Sequence, residues 1–463
     1  MPSPSQPSES HREQKSRRAG SRLRLTAACV ALPAMIAAVH LALHAGRDAV
    51  ERQPTLTAAH AATPATETDW PNLFGPHHDS STGQPINTRW PDSGPPELWR
   101  TAIGTGYSSP VVSHDRAIVA HRIGDEELVS AFDAASGTPL WEHRRPTSFE
   151  CGSHYTNGPY STPAISGDQL ISLGAQGRLE CLNVETGELL WFRETGDEFQ
   201  VPTDVFGAGH SPRIFGGLAI LNIGGTTPES GIVAFDMQSG DVRWQATSHG
   251  ASFATPVLAE LHGRERLVAL TADALVVLDP ADGRTVSEFA CRSNVPDAYT
   301  AVTPVVFDNL ILVSIFGYGS VCLEIRPDES LNALWEDRRT LTSQYNPLLC
   351  ADGAVYGIHA TDKSFRCIDL RTGQLHWRWK SSLGRSTHLI AGDQILLFGE
   401  FGELAAIQRN PVECVPTATV TPTLFDGERC YSAPALAEGL LYVRNEAELV
   451  CIDLRPAHVV ADQ

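Results

Sequence analysis

AISGDQLISLGAQGRLECLNVETGELLW, Ala164 to Trp191, decides the fold. Its first part reads strand, Gly-containing turn, strand, with apolar residues alternating as they do in half-buried strands. Its second part, NVETGELLW, is a short amide side chain, a turn with glycine, and an aromatic. That order describes a hairpin whose glycine supplies a positive φ and whose Asx side chain bonds the turn backbone.

Working outward, the hairpin recurs as DAASGTPLW (Asp133 to Trp141), DMQSGDVRW (Asp236 to Trp244) and DLRTGQLHW (Asp369 to Trp377). A fifth copy, DPADGRTVSEF (Asp279 to Phe289), is read with Phe289 at the aromatic position, and a sixth loses the turn but keeps Trp335. A second element, Ser/Thr-Pro before an apolar run, occurs at Ser109-Pro110, Thr162-Pro163, Ser211-Pro212, Thr255-Pro256 and Thr303-Pro304. Weaker copies stand at Asn346-Pro347, Thr387-His388 and Ala433-Pro434, which makes eight. Steps of 53, 49, 44, 48, 43, 41 and 46 residues separate them, the period of a four-stranded propeller blade. Proline at a strand start costs no interior ladder bond. The recurrent tryptophans read as packing on outer strands, because a ligand-stacking aromatic would break the repeat pattern instead of following it.

The eighth unit ends at LYVRNEAELVCIDL without its own turn and tryptophan, whereas ELWRTAIG (Glu97 to Gly104) is an orphan strand carrying Trp99. Pairing the two closes the ring and removes a sheet edge. The expected fold is therefore all-β: a single eight-bladed propeller over residues 69–455, closed by an N-terminal strand, with a C-terminal tail at 456–463.

Before it lie two other segments. Arg17, Arg18, Arg22 and Arg24 precede the largely apolar Leu25 to His44, so residues 1–46 read as a signal peptide or an uncleaved signal anchor, and both stay open. Residues 47–68, rich in Ala, Thr and Pro, read as a disordered linker. Export is implied, to the periplasm or to the periplasmic face of the inner membrane, with membrane contact only through the N-terminal segment if it is uncleaved. Cys29 precedes the apolar segment instead of following it, which argues against a lipid anchor. The chain carries a net charge of −19, while 1–46 hold six Lys/Arg against two Glu, so the remainder stands at −19 − 4 = −23. Phosphate binding needs concentrated Lys and Arg, and nucleic acid is excluded as a partner.

Ten cysteines include no adjacent pair and no CxxC. Cys181, Cys322, Cys367 and Cys451 sit in apolar strand-like runs and read as small buried hydrophobes; disulfide pairing is not readable from spacing.

These hairpins and anchors resemble the PQQ-like β-propeller repeat, also described as WD40/YVTN-like, of the quinoprotein alcohol dehydrogenase-like superfamily. The leader WPNLFGPHHDSSTG (Trp70 to Gly83) is similar to the WPxxxGP opening of exported bacterial members without assigned enzyme activity. In the dehydrogenases the resemblance implies pyrroloquinoline quinone (PQQ) with calcium, the quinone held between an adjacent-cysteine disulfide and a tryptophan. The missing cysteine pair argues against both, so no cofactor, metal or catalytic residue is expected. His77, His78 and Asp79 are read as an exposed polar loop and not as metal ligands.

The remaining candidate site is the ring's mouth. Residues just before the anchors are read as starting the innermost strands: Tyr107, His154, Tyr155, Tyr160, His210, Phe253, Tyr299, Tyr345, Arg385, His388 and Tyr431. Aromatics with a few polar groups suit a small molecule, glycan or peptide; equally they suit a plug between blades. The expected function is a non-catalytic scaffold that binds a protein or peptide in the cell envelope, similar in architecture to the eight-bladed scaffold of the outer-membrane protein assembly machinery. The alternative is a small-molecule-binding or quinone-dependent oxidoreductase propeller using the central channel.

Overall fold

The computed structural model describes residues 68–91, 93–153, 155–202, 206–295, 299–419, 423–425 and 429–456. The segments read as signal or anchor and as linker lie outside these residues, apart from Thr68. Among the described residues no helix is long and apolar enough to cross a membrane.

Eight antiparallel sheets of four strands follow one another. Blade 1 is Val111–Ser113, Arg116–Ile123, Glu126–Asp133 and Pro139–Pro146; blade 2 is Ala164–Ser166, Gln169–Leu173, Arg178–Asn183 and Leu189–Glu194. Blades 3 to 6 repeat the pattern from inner strands Arg213–Phe215, Val257–Leu261, Val305–Phe307 and Leu349–Ala351. Blade 7 starts at Thr387–Ala391 and blade 8 at Ala435–Ala437. The fourth strand of blade 8 is Glu97–Ala102, paired with Glu448–Asp453. Closure is thus made by the N-terminal strand, as its orphan tryptophan implies. Each inner strand begins after its anchor's second residue, except in blade 7, so the aromatic candidates stand in the loops entering the inner strands and not on the strands.

The turn chemistry is that of the sequence. Asp133 Oδ1 accepts from the Ser136 amide at 2.8 Å, Asn183 Oδ1 from Thr186 at 3.0 Å, and Asp369 Oδ1 from Thr372 at 2.8 Å. The glycine has a second reason. At Gly187, φ is +72° and an added Cβ would stand 2.4 Å from Trp141 of the preceding blade, so each tryptophan rests on the next blade's turn. Its indole donates there: Trp99 to Ala134 O (3.0 Å), Trp141 to Val184 O (3.1 Å), Trp191 to Met237 O (2.7 Å) and Trp335 to Leu370 O (2.9 Å). Facing each tryptophan across the ladder is a small residue, Cys451, Ala131, Cys181, Ala234, Cys322 or Cys367. This accounts for the four repeat cysteines, none of which is in a disulfide.

Blade 4 corrects one expectation. Ser287, not Phe289, holds the tryptophan register opposite Val277, and Phe289 pairs with Leu275 two residues on. The turn it would rest on, in blade 5, has no glycine. Arg266 Nε of blade 4 instead reaches Glu329 Oε1 of that turn at 3.0 Å, and Arg264 reaches the same oxygen at 3.1 Å. An ionic contact replaces indole on glycine.

The anchors also have a structural role. The Ser109 amide donates to Thr162 Oγ1 (2.9 Å), the Thr162 amide to Ser211 Oγ (3.0 Å), and the Thr255 amide to Thr303 Oγ1 (3.1 Å). The Ala433 amide donates to Ser109 Oγ at 2.8 Å, joining the last blade to the first. Between adjacent blades lie apolar clusters built from the middle strands, since no blade can bury both of its faces alone.

The leader runs across the ring. Trp70 exchanges backbone bonds with Val112 of blade 1, and Pro71 O accepts from Ile165 of blade 2. Ser81–Thr82 then adds a parallel strand inside Thr387–Ala391 of blade 7. His77 is exposed and Asp79 accepts from the Ser81 amide at 2.9 Å. His78 departs from the expected exposed loop: burial and the Arg213 charge push its imidazole down to about 3.

Candidate functional site

The loops between blades converge on an axial cavity of 440 Å³. Of the sequence candidates, Tyr107, Tyr155, Tyr160, Phe253, Tyr299, Tyr345 and Tyr431 line it. Their rings touch in sequence round the mouth. Tyr345 meets Tyr431 at 5.5 Å between centroids, Tyr431 meets Tyr107 at 5.2 Å, and Tyr107 meets Tyr160 at 5.3 Å. Tyr160 stacks on Phe253 at 6.3 Å with 12° between planes, and Phe253 on Tyr299 at 5.3 Å. Edge-to-face and offset contacts of this kind each add to ordinary apolar burial. The rings form one contiguous aromatic cluster, a collar at the mouth of the cavity.

Phe206 completes it, 4.6 Å from Tyr299 and 5.4 Å from Tyr155. The sequence reading did not name it, although Phe206 stands five residues before Ser211, nearer its anchor than Tyr155 stands to Thr162. Leu73 and Phe74 of the leader also line the cavity, so the segment that crosses the ring contributes to its wall. Apart from the similarity of its opening motif, the leader carries no local signal for this.

Three candidates are not on the cavity. His210 is buried in a neighbouring cleft of 550 Å³ between blades 2 and 3, which shares Gly209 and Phe253 with the axial cavity. Burial pushes its imidazole down to about 4. His388 is buried between blades, edge-on to Phe365 at 5.1 Å, and burial likewise pushes it down to about 4. Both rings are neutral packing groups. Arg385 lies on the rim, 3.8 Å from Glu400, which also pairs with Lys363 at 3.1 Å and accepts from Tyr431 Oη at 3.4 Å. Burial opposes ionisation of Glu400, but Lys363, the Arg385 amide and the Arg385 charge outweigh it and hold the carboxyl below its usual range. His154 lies outside the described residues.

Burial pushes the phenols of Tyr107, Tyr160 and Tyr345 far up, so they are neutral hydrogen-bonding groups. Below the collar the wall is formed by Ser109, Thr162, Ser211, Thr303 and Thr387. Among the described residues no cysteine, tryptophan or acidic side chain lines the cavity, and these residues do not fit a quinone clamped between a disulfide and an indole over a calcium ion. Among the described residues no group of three His, Cys, Asp or Glu side chains is arranged to hold a metal.

The fold is similar to solved structures at low identity. BamB from Moraxella catarrhalis is 17% identical, covers 78% of this chain and 98% of its own, and gives a TM-score of 0.57. Quinohemoprotein alcohol dehydrogenase from Comamonas testosteroni is 13% identical over 85% and 82%, also at 0.57. The computationally designed Ika8 protein is 10% identical over 77% and 99%, at 0.53. Likeness at this identity speaks to architecture alone. No curated protein matches the chain in sequence. The family model described as "Outer membrane protein assembly factor BamB" matches residues 91–203 and 125–379, more than half of the sequence. With the eight blades and their turn-glycine and tryptophan pairs, this match means that the chain belongs to that family of PQQ-like β-propeller proteins.

Proposed function

We propose that this protein is a non-catalytic scaffold of the cell envelope that binds an extended polypeptide segment at the axial mouth. The observation that carries the reading is the aromatic collar over a cavity whose wall includes Leu73 and Phe74 of the chain's own leader. An aromatic socket takes an apolar side chain and the segment bearing it, and rigid aromatic anchors dominate such recognition. The family's printed description, an assembly factor for outer membrane proteins, supports a protein partner and an envelope location. The likeness to a quinohemoprotein dehydrogenase supports a quinone-dependent reaction less well, because the described residues of the cavity wall include no side chains to clamp or ligate such a group.

A photoreactive extended peptide offered to the purified chain tests this. Cross-links are expected at the loops carrying Tyr155, Phe206 and Tyr299, and Phe206→Ala is expected to weaken capture about tenfold or more. Cross-links spread over the outer blades, unaffected by Phe206→Ala, would remove the reading.

A further inference from the structure

Below the aromatic collar the anchor hydroxyls have a property that their structural role leaves unused. Ser109 Oγ, Thr162 Oγ1, Ser211 Oγ and Thr303 Oγ1 each accept a backbone amide across a blade junction, at 2.8, 2.9, 3.0 and 3.1 Å. A hydroxyl has one proton and two acceptor positions. These bonds occupy acceptor positions only, and among the described residues none of the four hydroxyls donates to a protein group. All four line the cavity. The waist therefore presents four free hydroxyl protons, from blades 1, 2, 3 and 5, on oxygens that the junction bonds hold in place.

The charge behind these hydroxyls has the same sense. Arg213 and Arg444 are among the largest fully buried side chains of the protein. Arg213 follows Ser211 by two residues and donates through Nε to Pro256 O at 2.8 Å. Its Nη2 has no partner. Arg444 donates to Gly104 O and Ala120 O at 2.9 Å, and more distantly to Ser108 O, the residue before Ser109. Among the described residues neither guanidinium forms an ion pair. Burial pushes them down only to about 10 and about 9, so both are charged at neutral pH. Glu446 offsets Arg444, whereas Arg213 has no counter-charge among the described residues, and an uncompensated cation in a low-dielectric core makes the adjoining waist favourable for an anion.

We propose that the waist of the axial cavity binds a carboxylate, and that its occupant is the C-terminal end of the extended polypeptide, with the last side chain held in the aromatic collar. This rests on the polypeptide-binding reading above. The carboxylate oxygens accept from these hydroxyls, a charge-assisted geometry stronger than its neutral equivalent. A free carboxylate on an apolar body offers the same chemistry, and the experiment separates the two sources.

The test uses the full chain and a fluorescein-labelled extended peptide ending in leucine, as the free acid and as the C-terminal amide, read by anisotropy. The free acid is expected to bind about tenfold or more tightly than the amide. Equal binding of the two forms overturns the carboxylate site and leaves polypeptide capture standing. In a parallel arm, phenylacetate is added alone and the melting temperature followed. A rise with phenylacetate but no binding of either peptide keeps the carboxylate site, assigns it to a free carboxylate, and removes the polypeptide reading. No response to any probe removes both. Thr162→Val and Thr303→Val, checked for an intact melting transition, are expected to erase the preference for acid over amide. Equal loss for both peptides would show that these hydroxyls act only between blades and would overturn the site.

Discussion

Trp99 and Ala134 are joined by an indole hydrogen bond of 3.0 Å, and through it the strand that closes the last blade is held on the turn of the first. Trp99 is buried and its ring lies 5.9 Å from that of Tyr442. Trp99→Ala removes this contact and leaves a cavity at the junction where the two ends of the domain meet. Denaturant unfolding is expected to show a loss of about 3–5 kcal/mol. A loss below about 1 kcal/mol, the range of ordinary surface substitutions, would mean that closure does not depend on the indole.

Two glycines separate backbone strain from packing. Gly167 has φ +59° with nothing within 4 Å of an added Cβ, whereas Gly187 has φ +72° and Trp141 at 2.4 Å. Gly167→Ala is expected to cost only the left-handed backbone penalty, about 1–2 kcal/mol. Gly187→Ala must also displace the indole, so its midpoint in urea should lie clearly below that of Gly167→Ala. Matching midpoints would remove the packing account of the turn glycine.

Glu180 is fully buried and accepts from Arg145 at 2.7 Å and Arg178 at 2.7 Å, with His143 at 3.2 Å. Burial by itself raises its carboxyl, but the His143 contact, the Arg145 charge and the Arg178 hydrogen bond outweigh that and hold it down to about 2, from an ordinary 4.5. A depressed folded value stabilises the fold above the unfolded value, and that stability is lost as pH falls through the folded one. The contribution, about 3 kcal/mol, is therefore full near neutrality and disappears between about pH 5 and pH 2. Unfolding free energies measured across this window should fall more steeply for the parent chain than for Glu180→Gln.

Cys181, Cys322, Cys367 and Cys451 are buried opposite tryptophans, and burial pushes each thiol up to about 12. A thiol-reactive chromogen should leave all four unmodified in the native protein and react with them on unfolding, because the thiolate is the nucleophile and needs access. Rapid native labelling of any of the four, located by peptide mapping, would contradict this packing.

Added PQQ with Ca²⁺ is expected to leave the melting temperature unchanged, since the described residues of the cavity wall offer neither an acidic ligand nor a disulfide. A saturable rise at ligand excess would signal tight binding to the native state and return the quinone reading.

What the sequence determined by itself was local and periodic: eight units, their Asx-glycine turns, the tryptophan row and the closing strand. Each rests on residues a few positions apart, and a regular period multiplies a weak local signal until the architecture is unambiguous. Where the repeat decays the reading slipped, as at Phe289, because the register is set by a bulge and not by the nearest aromatic. The mouth aromatics were legible as neighbours of the anchors, but they were read as strand starts and stand in the loops before the strands. Tertiary structure alone decided that seven of them meet in one collar with Phe206, that His210 and His388 turn into the packing instead, and that Leu73 and Phe74 line the same cavity from the leader. Those relations join residues hundreds of positions apart. They depend on where the ring closes and on which side of a loop a side chain falls, and no short-range pattern in the chain encodes either.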